Sequence, residues 1–135
     1  MTESMISLAQ RNAKEAGVSN VEFIHGTMEA VPLPDNCVDV IISNCVINLA
    51  ADKDLVLREA YRVLKKGGMF GVSDIVINRQ LPEKIMTNME LWTGCLAGAL
   101  LDKDYLAKLE SAGFTGASIE TQRVYTKSDV IRLSQ

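Results

Sequence analysis

The chain has 135 residues, enough for one domain with a real core and too few for two. Hydrophobic residues make up 47% and charged residues 23%, values that exclude a disordered chain. The net charge of −3 and a pI near 5.1 argue against a nucleic-acid-binding surface.

In chain order, residues 3–16 read as a helix. Met5, Leu8, Ala9, Asn12/Ala13 and Ala16 recur at helical spacing, Thr2 caps the start, and Gly17 sits where a helix stops. Val21 to His25 reads as a strand, followed by a turn-rich stretch with Pro32, Pro34, Asp35 and Asn36. Val38 to Ser43 is a near-continuous apolar run, as expected of a strand covered on both faces. The next helix has Asp52 and Asp54 at its N-terminus and a stripe of Leu57, Ala60/Tyr61 and Leu64. Lys65 and Lys66 suit its C-terminus, and Gly67 ends it. Met69 to Ile77 reads as a strand. Pro82 opens a further helix with Ile85, Met89, Trp92 and Leu96 on its apolar side. Asp102 opens another that runs through Ala112 and closes at Gly113. Ala117 to Tyr125 alternates weakly, like an exposed strand, and Ser128 caps a short final helix.

Strands alternating with helices predict a single α/β domain over residues 1–135 with a mostly parallel sheet. Ligands of such folds sit beyond the carboxyl ends of strands. That directs attention to His25 to Glu29, Ser43 to Asn48 and Ser73 to Asn78. No apolar run is long enough to span a bilayer, and no basic segment with an apolar core opens the chain. The expectation is a cytoplasmic protein with neither membrane nor nucleic-acid partners.

Three cysteines in such a protein are thiols or soft ligands rather than a disulfide frame. Cys45 follows the apolar strand within Ser43-Asn44-Cys45-Val46-Ile47-Asn48-Leu49. By position alone it is either a ligand-side thiol or a small buried hydrophobe. Cys95 lies among Gly94, Ala97, Gly98 and Ala99, which permit close backbone approach or tight helix packing. Cys37 precedes the strand that Cys45 follows. An extended stretch of eight residues spans roughly 26 Å, so the two cannot share one ligand. His25 is the single histidine and has no visible nucleophilic partner. No Cys-x-x-Cys or clustered His spacing marks a metal site. Met86 and Met89 read as core. Glu29 is a candidate adenine-reading carboxylate or a solvated loop acid. Asp74, inside an apolar strand, needs a partner if it is buried.

Two stretches resemble a known family. Asp39 to Leu49, then Arg58-Glu59-Ala60-Tyr61-Arg62-Val63-Leu64-Lys65-Lys66-Gly67-Gly68, look like the middle of a class I S-adenosylmethionine-dependent methyltransferase. The Ser-Asn-Cys-Val-Ile-Asn-Leu stretch, with Leu81-Pro82-Glu83 and Gly94 to Ala99, resembles arsenite methyltransferases. The resemblance implies a partial Rossmann-like fold, S-adenosylmethionine as cofactor and trivalent arsenic as substrate. It implies that Cys45 and Cys95 are arsenic-binding thiolates, in keeping with the softness of As(III), whereas Cys37 matches none of the family's cysteines. Thiolate-bound arsenic keeps a lone pair able to attack the sulfonium methyl in line, with the protein supplying proximity. Met28, by its backbone N–H, and Glu29, by its carboxylate, match the adenine-reading pair. Asn44 and Val46 would line the methionine side of the cofactor.

The chain also departs from the family. The first two strands, the glycine-rich turn between them and the acidic residue that grips the ribose would all precede Met1, and further cysteines are missing. The expectation is therefore a partial fold that lacks its first two strands and is weak or inactive alone. The 21–25 strand would close up beside 38–43, or exposed edges would pair two chains as a homodimer. Two other readings remain open at this point. One is a methyltransferase of the same fold acting on a small organic molecule, its cysteines structural. The other is a non-catalytic metalloid-binding or interaction module.

Overall fold

The computed structural model describes residues 2–79, 83, 96 and 98–125. Helix α1 spans Glu3–Glu15, and the Thr2 hydroxyl accepts the Met5 N–H at 3.4 Å as its N-cap. No residue of α1 is buried, so its apolar stripe covers no core among the described residues. Strand β1 (Val38–Asn44) leads into a short 3-10 helix, Ile47–Leu49. Helix α2 (Lys53–Val63) follows, with the Asp52 carboxylate accepting the Leu55 N–H at 2.9 Å. Strand β2 (Leu64–Ser73) runs parallel to β1. Two further short strands, β3 (Val76–Ile77) and β4 (Leu100–Leu101), also pair in parallel, and helix α3 (Asp102–Ala112) closes the described fold. This is a partial Rossmann-like α/β arrangement of two parallel strand pairs, β1 and β2 being connected through α2.

The core lies on one face of the β1–β2 pair. Ile47, Ala50, Val56, Leu57 and Tyr105 form its buried centre, and Phe70 and Val72 of β2 pack against it. Phe114 joins the layers, stacking on Phe70 at 5.2 Å and meeting Tyr61 edge-on at 5.4 Å. Gly113 ends α3 at φ +112, where a Cβ would lie 2.8 Å from the Tyr61 ring, so this stop tolerates only glycine.

Five expectations need correction. The strand read over Met69 to Ile77 is two: β2 ends at Ser73, and Val76–Ile77 pairs with β4 in a separate sheet. β1 is not covered on both faces: Val40 is 56% exposed and Ile42 84%, beside Met69 at 70%. Residues 21–25 and 117–125 form no strand, because a strand exists only with a ladder partner and neither segment has one among the described residues. For the same reason 21–25 does not close up beside β1, whose described neighbour is β2. Helix α2 stops at Val63 rather than near Lys66. Leu64 turns extended and pairs with Val38, and the Lys65 ammonium reaches Asp39 at 2.9 Å, which draws this stretch onto the sheet. The helix expected from Pro82 to Leu96 lies almost wholly outside the described residues, and the final helix from Ser128 wholly so, with Met86, Met89 and Cys95.

Candidate functional site

Two loops at the edge of the core carry most of the candidate residues. In the first, Thr27 and Ala30 bridge in antiparallel fashion, with the Ala30 N–H donating to the Thr27 carbonyl at 3.3 Å. Met28 and Glu29 are the two central residues of this tight turn, both half-buried. Met28 also packs on the core cluster and lines an apolar hollow of about 230 Å³ with Ile24, Val31, Pro32 and Leu33. Whole-ligand pockets run from about 300 to 1,000 Å³, so this hollow suits one ring of a ligand rather than all of it.

The stretch after the turn is pinned by a fork that sequence reasoning missed. Arg62 of α2 donates to the Val31 and Leu33 carbonyls, each at 2.9 Å, and pairs with Asp35 at 2.8 Å. Glu59 completes the fork, accepting the Val31 N–H at 2.8 Å and the Arg62 Nε–H at 2.8 Å. The bonds from Arg62, then that from the Val31 N–H, hold the Glu59 carboxyl below its usual range. Glu59, then Asp35, raise the Arg62 pKa. The only local signal was the Glu-x-x-Arg spacing on one helix face. Its target lies about thirty residues away in sequence.

The second loop follows β1. Asn44 ends the strand exposed. Cys45, a thiol and also exposed, sits at φ +56 in the left-handed region, and its N–H donates to the Ser73 carbonyl at 2.9 Å. Val46 is partly exposed, and the chain then turns inward through Ile47 and Asn48, both buried. The Asn48 side chain donates its Nδ2–H to the Ile75 carbonyl at 2.7 Å. Gly98 packs against the same residue so closely that a Cβ there would stand 1.9 Å from the Asn48 carbonyl oxygen. Cys37 stays at the far end of β1, its N–H on the Val63 carbonyl.

Beneath this loop lies a polar cluster. Asp74 has both carboxylate oxygens buried. Burial pushes its pKa up, while the backbone N–H of Asn48, the Lys53 ammonium and the Ile47 N–H oppose the shift from beyond full hydrogen-bond geometry. Lys53 donates to the Ala50 carbonyl at 2.9 Å. Its pKa is lowered by burial and by Lys108, with Asp74 pulling the other way. Tyr105 is buried, and desolvation together with the Asp74 charge raises its hydroxyl pKa. The partner expected for Asp74 is thus the charge of Lys53. Among the described residues no group of His, Cys, Asp and Glu could hold a metal ion, and no helix is long and apolar enough to cross a membrane.

The apolar hollow thus lies beside the 27–30 turn, and Cys45 lies just past the carboxyl end of β1. Residues 1–113 match the family model described as a methyltransferase domain. The chain is 41% identical over 119 residues to the arsenite methyltransferase of Halobacterium salinarum, covering 88% of this chain and 30% of that protein. It is 38% identical over 135 residues to the human arsenite methyltransferase, covering 93% and 36%. The structure superimposes with a TM-score of 0.76 and 40% identity on an arsenic(III) S-adenosylmethionine methyltransferase from Chlamydomonas reinhardtii, covering 85% of this chain and 42% of that one. The chain therefore spans about a third of the length of the curated relatives it matches. The match over residues 1–113, more than half of the chain, establishes that it belongs to the methyltransferase domain family, with which its parallel strands are consistent.

Proposed function

We propose that this chain is the substrate-side part of an S-adenosylmethionine-dependent methyltransferase acting on thiolate-bound trivalent arsenic, with weak or no activity by itself. The observation that carries the reading is Cys45 at the carboxyl end of β1, in a chain about 40% identical to arsenite methyltransferases. That end of a parallel strand is where ligands of this architecture bind. Cys45 and Cys95 are the proposed arsenic ligands, since As(III) is soft and thiolates are soft donors. Cys95 lies outside the described residues, but Gly98, three residues on, packs on Asn48, three residues after Cys45.

On the cofactor side, Met28 would offer its N–H and Glu29 its carboxylate to an adenine ring in the hollow. Asn44 and Val46 would flank the methionine end. When bound, the cofactor supplies an electrophilic sulfonium methyl. The protein's own part is to hold the arsenic lone pair toward it and exclude water. The negative charge favours a protein without nucleic-acid partners, and a cytoplasmic location without membrane partners remains part of the proposed reading. The bare face of Val40, Ile42 and Met69 and the second edge of β1 favour a homodimer.

Arsenite titration tests the reading. Cys45→Ser and Cys95→Ser should each weaken binding at least tenfold, as expected when one thiolate of a chelating pair is removed. Unchanged affinity in either variant removes that residue from the site. Calorimetric titration with S-adenosylmethionine should show weak or no binding, and micromolar affinity would overturn the expectation of weak activity. Methylated arsenic formed at saturating cofactor, however slowly, would exclude a binding module that never transfers methyl.

A further inference from the structure

We propose that Asn48 is the positioning residue for the Cys45 thiolate, locking the strand-end turn in which Cys45 sits. The inference rests on the arsenite reading of Cys45 and adds the device that aims it. A cysteine at φ +56 is held in an uphill conformation, because its Cβ crowds the backbone there. Such a conformation persists only where surrounding structure over-determines it.

Two hydrogen bonds do so, both to the segment that ends β2. The Cys45 N–H binds the Ser73 carbonyl at 2.9 Å, and the Asn48 amide binds the Ile75 carbonyl at 2.7 Å. Between these points run only Val46 and Ile47, so the path of the turn is fixed at both ends. Ile47 is sunk in the core and acts as a third anchor. Asn48 itself is 0% exposed and cannot slide. Its carbonyl abuts Gly98, and Asp74 lies beneath its N–H. An apolar side chain at position 48 would leave the Ile75 carbonyl without this donor, and the turn would lose the bond that opposes relaxation at Cys45.

Arsenic chelation by two thiolates requires both sulfurs in place, whereas alkylation of one exposed thiol does not. That contrast separates positioning from mere stability. The experiment compares the full chain with Asn48→Ala, Asn48→Leu and Cys45→Ser. Arsenite is titrated by its thiolate absorption, and iodoacetamide rates are read separately at Cys45 and Cys37. Asn48→Leu keeps the four-atom branched shape of the side chain without its amide, so it stands if the smaller residue opens the core. Arsenite affinity should fall roughly tenfold or more in both Asn48 variants, the scale expected when a reacting group is displaced by about an ångström. Cys45 alkylation should stay within about twofold, and Cys37, at the other end of β1, should be unchanged as the reporter of an intact fold. Unaltered arsenite affinity in the folded variants overturns the proposal. Cys37 alkylation as fast as in urea for both variants also overturns it, in favour of a purely structural role. If instead Cys45→Ser binds arsenite like the parent, the functional reading fails, and its failure is distinguishable from that of Asn48.

Discussion

Gly98→Ala tests the contact that joins the segment after Cys95 to the turn after Cys45. An added Cβ would stand 1.9 Å from the Asn48 carbonyl oxygen and 3.0 Å from its carbon. Real Cβ contacts stop near 3.0 Å, so one backbone must retreat by about 1.1 Å. The obstacle is backbone, which no rotamer change relieves. Retreat of Asn48 is opposed by its 2.7 Å bond to Ile75 and by the buried neighbour Ile47. Overpacking costs about 1–3 kcal/mol where some relaxation is available, so a loss near 3 kcal/mol is expected here. Against a total of about 5–15 kcal/mol for a domain, that is a large fraction. Urea unfolding followed by circular dichroism measures it. Gly71→Ala is the control, since its added Cβ would meet nothing closer than 4.0 Å, and it should change stability by less than about 0.5 kcal/mol. A Gly98→Ala variant as stable as the Gly71→Ala control would refute the packing argument.

Two further outcomes follow from the polar contacts. Burial raises the Asp74 pKa in the fold, so the folded state binds that proton more tightly than the unfolded chain. The Asp74 contribution is therefore full below about pH 4 and declines as pH rises toward the raised value. Asp74→Asn should remove that decline, so wild-type stability relative to the variant should fall with rising pH in urea titrations. A relative rise over the same range would contradict the burial. Arg62→Gln removes the donors to Val31, Leu33 and Asp35. Amide exchange at Val31 should quicken by roughly tenfold while that of Leu57 holds, and equal protection in both proteins would show that the fork does not pin this loop.

What the sequence made legible was local. Thr2 as a cap, β1 within a residue, the start of α2, and α3 with its stop at Gly113 all rest on signals carried within a few residues. The two segments misread as strands, 21–25 and 117–125, have the right alternation, but a strand is a relation between segments and their side of it is missing. The Leu64 transition was hidden because Lys65-Lys66-Gly67 suits a helix end, while pairing of Leu64 with Val38 decides the matter from 26 residues away. In the candidate site, Cys45 and the 27–30 turn could be singled out from motifs. The burial of Asp74 was foreseeable from a charge in an apolar run, and its Lys53 partner was not. The partners of Asn48, Glu59 and Arg62 were not legible, because each acts in part on backbone carbonyls or N–H groups distant in sequence, which have no sequence signature.

On the proposed reading of Cys45, the second edge of β1 would tie arsenite affinity to mass action. β1 carries Cys45 on its final turn, and among the described residues β2 satisfies only one of its sides. Anything that docks on the other side stabilises the strand and, through it, the geometry at Cys45. By linkage, whatever tightens the one must tighten the other by the same factor. If a second copy supplies the docking strand, arsenite affinity becomes a function of protein concentration, and the metalloid becomes a promoter of assembly.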